Sequence, residues 1–152
     1  MAYADKTSVG TSQSIIEIER TLTRYGADQF MYGTQPGKVA VGFVMGGRQV
    51  RIVVPLPEKT DKQFWTTETG KKRSESVALK EWEQACRQRY RALALVVKAK
   101  LEAVEAGITT FEEEFMAHLV LPGGQTVGQR LLPEINEAQR TGNLPPLIPN
   151  LG

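Results

Sequence analysis

The sequence predicts an α+β domain in which a small antiparallel sheet packs against a short helix and a long one. Three observations carry that prediction. Val39, Val41 and Phe43 alternate up to Gly46-Gly47, and Val50, Ile52 and Val54 alternate after it. Leu79, Trp82, Cys86, Tyr90, Leu93, Val97, Leu101 and Val104 recur at steps of three and four. Ile15, Ile18, Leu22 and Tyr25 repeat the helical interval over a shorter stretch. Period two marks a half-buried strand, and a mixture of threes and fours marks one face of a helix.

The hairpin spans 38–55. Gly-Gly tolerates the positive φ angles of a tight β-turn, so Met45 pairs with Arg48. Phe43 then faces Val50, Val41 faces Ile52 and Val39 faces Val54, all toward the core. Arg51 falls on the other face, opposite Gly42. Pro55 and Pro57 end the ladder. A third strand is expected near 28–33, with Phe30 and Tyr32 on one face.

The first helix is expected over 14–25. Ser14 and Glu17 have capping-box spacing, Gly26 is the stop, and residues 1–11 form a loose lead-in. The long helix is expected over 75–106, capped by Ser74 or Ser76 and ended by Gly107. Between hairpin and long helix, 58–73 is polar and aperiodic, a basic loop of a length that is usually mobile or functional. Thr110 and Glu113 repeat the capping spacing before a short helix carrying Phe111, Phe115 and Leu119. Thr126 caps a last helix over 127–141, kinked at Pro133 and stopped by Gly142. Residues 143–152 hold three prolines and read as an extended tail.

At 152 residues, 41% hydrophobic and 24% charged, the chain reads as a single domain, 1–152. Cys86 is the only cysteine, which excludes an internal disulfide and suits a reducing compartment. Met1 to Gly10 lacks the apolar stretch of a signal peptide, and the longest apolar run is six residues, Ala92 to Val97. The expected location is the cytoplasm of a bacterial host cell.

Charge is the best functional clue. Thirteen of 19 Lys and Arg residues lie between Arg48 and Lys100 with six acids, whereas residues 101–152 carry two bases and seven acids. A basic middle beside an acidic end attracts polyanions locally although the net charge is only +2.

Within the loop, Lys59, Lys62, Lys71, Lys72 and Arg73 are interleaved with Phe64 and Trp65. Cations neutralise phosphates, and aromatic faces stack on unpaired bases. The competing reading is a solvated loop with the two aromatics folded onto the core. On the long helix, Lys80, Arg87, Arg91 and Lys98 fall within about 40° of one another. They either track a phosphate backbone or form an ordinary wet face with Glu81 and Glu83 nearby, and the internal candidate for an anionic partner is Glu112-Glu113-Glu114. Arg51, with Arg48 and Tyr32 close by, extends the surface if the outer sheet face is open. Arg20 and Arg24 lie on the polar side of the first helix.

Catalytic and metal signatures do not emerge. His118 lacks a second histidine or cysteine partner and reads as a surface or capping residue. Cys86 sits in the apolar stripe. The three adjacent glutamates splay by about 100° per residue instead of converging. Neither Gly-Gly pair fits a phosphate loop. No cofactor or metal is expected.

Four stretches carry a resemblance: residues 17–30, 82–91 and 98–111, and Leu121-Pro-Gly-Gly-Gln-Thr-Val127. Together they resemble a family of small uncharacterised phage and prophage proteins, usually left as hypothetical. The resemblance covers nearly the whole chain. It implies a bacteriophage setting, where accessory proteins of DNA metabolism are frequent, and it carries no functional residue.

The expectation is therefore a non-catalytic nucleic-acid-binding protein, favouring single-stranded DNA, in phage or prophage replication or recombination. Tyr32, Arg51, Trp65, Lys71, Lys72, Arg73, Lys80, Arg87, Arg91 and Lys98 are its candidate contacts. A homo-oligomer is an expected assembly. The alternative is a protein-interaction module that modulates a host or phage protein through its basic middle or acidic C-terminal third.

Overall fold

The computed structural model describes the backbone of residues 2–142 and the side chains of residues 12–142. The order is α1 (Ala2–Arg24), β1 (Gln29–Gln35), β2 (Lys38–Met45), β3 (Arg48–Pro55), α2 (Lys62–Trp65), α3 (Glu75–Glu105), α4 (Phe111–Phe115), a 3-10 turn (Met116–His118) and α5 (Val127–Thr141). This is the α+β arrangement that the periodicities predict. The proline-bearing tail 143–152 lies outside the described residues.

The sheet is antiparallel in the order β1-β2-β3. Gly46 and Gly47 have φ of 58° and 76°, the left-handed pair that a two-residue hairpin needs. The β2–β3 register is the one read from alternation: Met45 with Arg48, Phe43 with Val50, Val41 with Ile52, Val39 with Val54. The third strand extends to Gln35 and pairs Phe30 with Phe43 and Tyr32 with Val41.

Ile15, Ile18 and Leu22 of α1 and Tyr90, Leu93, Val97 and Leu101 of α3 form the core with the inner sheet face. Phe43 meets Phe115 edge-on, with centroids 5.6 Å apart at 84°. The helices α1 and α3 run in the same direction. Gln13 and Ser14 share a depression with Arg87 and Arg91, whereas Arg20 and Arg24 share one with Lys98.

Several expected boundaries change. The first helix begins at Ala2, so the lead-in is helical and Ser14 is not its cap. Nothing before Ser14 is a proline, and one glycine in a helix costs only about 1 kcal/mol. The connection 58–73 contains the one-turn helix α2 and an isolated bridge between Thr66 and Lys72. Burial of Phe64 anchors it. The helix expected to carry Leu119 stops earlier. Leu119 bridges Val50, and the Val120 N–H donates to the Gln49 carbonyl at 2.8 Å. Pro122 disfavours helix in the residue before it, and the edge of β3 offers the freed backbone partners.

The other caps fall where expected. Ser74 Oγ accepts from the Val77 N–H, and Gly107 follows α3 with φ 79°. Thr126 and Gln129 exchange both bonds of a capping box at α5. Pro133 lies inside α5, and Gly142 caps its end. Among the described residues no helix is long and apolar enough to cross a membrane.

Candidate nucleic-acid interface

The parallel packing of α1 on α3 leaves a trough between their polar sides. One depression of about 440 Å³ is lined by Gln13, Ser14, Gln84, Arg87, Gln88 and Arg91. It shares Gln13 with a second, of about 490 Å³, which adds Glu17, Arg20, Arg24 and Lys98. It shares Gln84 and Gln88 with a third, of about 620 Å³, under the 62–73 segment. That one is lined by Lys62, Phe64, Glu68, Arg73 and Glu81 among others. The three form one line along α3 from Gln84 to Lys98, about 21 Å at 1.5 Å per residue.

Seven cations line this path (Arg20, Arg24, Lys62, Arg73, Arg87, Arg91 and Lys98) against three acids, Glu17, Glu68 and Glu81. Arg87 is partly committed, 3.8 Å from the buried Glu83 carboxylate and donating to Gln84 Oε1 at 2.8 Å. Among the described residues, Arg20, Arg24, Arg91 and Lys98 have neither an ion pair nor a side-chain hydrogen bond. Their charge faces solvent. Lys80 is also exposed, one further heptad along the same side of α3.

The basic triplet divides. Lys71 and Lys72 sit on an exposed turn, where Lys71 N–H reaches Thr67 Oγ1 at 3.0 Å and Gly70 has φ 87°. Arg73 turns inward and donates to the carbonyls of Gln63 at 3.1 Å and Phe64 at 3.5 Å. Its guanidinium holds α2 in place, although the residue still lines the third depression. Trp65 is half-buried, and its indole N–H donates to the Lys59 carbonyl at 2.7 Å. Phe64, rather than Trp65, lines the path.

Arg51 and Tyr32 do not share a surface. The register places Tyr32 beside Val41 and Ile52 on the inner face, and Arg51 beside Gly42 and Met31 on the outer one. Period two separates them, because one is at an even and the other at an odd step of the ladder. Arg51 donates to the Gly124 carbonyl and, at 3.4 Å, to Gln129 Oε1, so the turn before α5 occupies it.

Part of the acidic end meets part of the basic middle. Arg48 Nε lies 3.0 Å from Glu112 Oε1. Lys100 Nζ lies 3.2 Å from Glu114 Oε1 and stands 5.8 Å over the Phe115 ring. His118 packs nearby, and burial, then the Lys100 charge, holds its pKa below the usual histidine range. Burial pushes the Cys86 thiol up, away from nucleophilic behaviour. Among the described residues no group of three His, Cys, Asp or Glu side chains is placed to hold a metal.

Arg20 and Arg24 are the additions to the predicted surface. The spacing of Arg20 and Arg24 four apart is visible in the sequence, but it points to α3 only once the direction of packing is known. Comparison with models of protein families, with curated proteins and with solved structures found no match.

Proposed function

We propose that this is a non-catalytic nucleic-acid-binding protein that favours single strands and serves phage or prophage DNA replication or recombination in the bacterial cytoplasm. The observation that supports it best is the trough along α1 and α3, with seven cations against three acids. A concave path of cations follows one sugar-phosphate backbone, whereas a duplex is read by an element that projects into its groove. Lys71 and Lys72 extend the field beyond the path. The phage setting rests on the resemblance of the quoted stretches.

Fluorescence anisotropy with labelled single- and double-stranded oligonucleotides, titrated at low and high salt, tests this reading. Micromolar or tighter binding that falls steeply with salt is expected, with single strands held more tightly. Absence of binding at low salt would overturn it. The interaction-module reading would then lead, favoured by the exposed apolar side of α5, where Leu132 and Ile135 are 54% and 49% exposed.

A further inference from the structure

The two edges of the sheet are built differently. The edge at β3 carries Arg48, Arg51 and Pro55, and Leu119 and Val120 cover it at Val50 and Gln49. Charges, proline and a covering segment are the devices by which proteins stop one sheet edge from pairing with another. Among the described residues the edge at β1 has none of them. Its seven residues, Gln-Phe-Met-Tyr-Gly-Thr-Gln, include no charge and no proline. Every second residue of an edge strand directs its N–H and C=O outward, so this edge presents an uncapped ladder.

Its side chains are also self-complementary. Met31 is 70% exposed and Tyr32 53%. Beside Met31 on the outer face, the row Gly33-Ala40-Val53 forms a hollow of about 270 Å³, and Val53 is 45% exposed. A Cβ built on Gly33 meets nothing within 4 Å. We propose that β1 is a homodimer interface: two copies pair their β1 strands antiparallel about a two-fold axis at Tyr32, and each Met31 enters the hollow over the other copy's Gly33. In that register residue 31 lies directly opposite 33, where side chains of a cross-strand pair meet, and Tyr32 faces its own copy as an aromatic pair. Any register one residue away would set Met31 against Tyr32 across opposite faces. The partner is a second copy because this strand carries both the knob, Met31, and the Gly33 rim of the hollow, and because a neutral strand opposes itself without charge repulsion. The product is a six-stranded sheet with both α1–α3 layers on one side. The dimer does not depend on nucleic-acid binding.

Sedimentation velocity of the full chain over a micromolar concentration series tests the proposal. The parent chain sediments as a dimer. Gly33→Lys fills the hollow and places a charge at the interface, and its open surroundings leave the monomer's circular dichroism unchanged. Its dimer dissociation constant rises by at least about tenfold. Met31→Ser, which removes the knob without adding charge, moves in the same direction and serves if Gly33→Lys fails to fold. A parent chain that stays monomeric at high micromolar concentration overturns the proposal. So does a dimer that survives both substitutions, or one dissolved instead by Leu132→Glu with Ile135→Glu, which would place the interface on α5.

Discussion

The positive charges of the middle segment meet two different fates. On the side facing α4 and α5, Arg48 pairs with Glu112, Lys100 with Glu114, and Arg51 with the Gly124 carbonyl. Along the α1–α3 trough, Arg20, Arg24, Arg91 and Lys98 have no such partner among the described residues. A local excess of positive charge in sequence is therefore not one surface. The acidic C-terminal third folds back on one half and leaves the other half open. Only the open half keeps a mutual repulsion of like charges that an external polyanion would relieve.

Reversing the open half produces the largest effect. Arg91→Glu with Lys98→Glu should weaken single-strand binding by on the order of a hundredfold at low salt, and each lost phosphate contact should lower the logarithmic salt slope by about one. Anisotropy titrations over a salt series measure both. Binding equal to the parent's would remove the trough from the proposed function.

The basic triplet splits the comparison at finer scale. Lys71→Gln with Lys72→Gln should weaken binding about threefold to tenfold and leave the melting temperature unchanged, since both side chains are exposed. Arg73→Ala should instead destabilise the fold by about 1–2 kcal/mol, because the Gln63 and Phe64 carbonyls lose a charged donor. Hydrogen exchange should then rise in 62–73. Equal effects of the two changes on both readouts would mean that the triplet acts as one unit.

How far the sequence carries depends on whether local or long-range contacts decide the outcome. The hairpin register, the Ser74 and Thr126 caps and the Gly107 stop were legible because each depends on residues within one turn or ladder. The start of α1 was not, since Ser14 has the spacing of a cap but a helix without proline upstream has no reason to begin there. The site was half legible. Arg87, Arg91 and Lys98 share one side of α3 by arithmetic alone, whereas Arg20 and Arg24 join them only through the parallel packing of α1. Tyr32 was misplaced beside Arg51 because the outer register of a third strand has to be known before its faces are.

The neutralised half should reveal itself through pH more than through binding. Arg48→Ala should change oligonucleotide affinity by less than about twofold, because Glu112 already holds that charge and both partners are half exposed. His118 reports on the same side. Its folded pKa lies below its unfolded value, so the unfolded chain takes up a proton first as pH falls. Stability is full above the unfolded pKa, declines as pH drops through about 6.5, and levels off below the folded pKa. His118→Asn should flatten this part of the stability profile, measured by urea unfolding across a pH series. Lys100→Met removes the second cause and should move the decline to lower amplitude without abolishing it, since burial remains. A profile of His118→Asn with the parent's slope would assign the acid sensitivity to another group and sever His118 from the Lys100–Glu114 cluster.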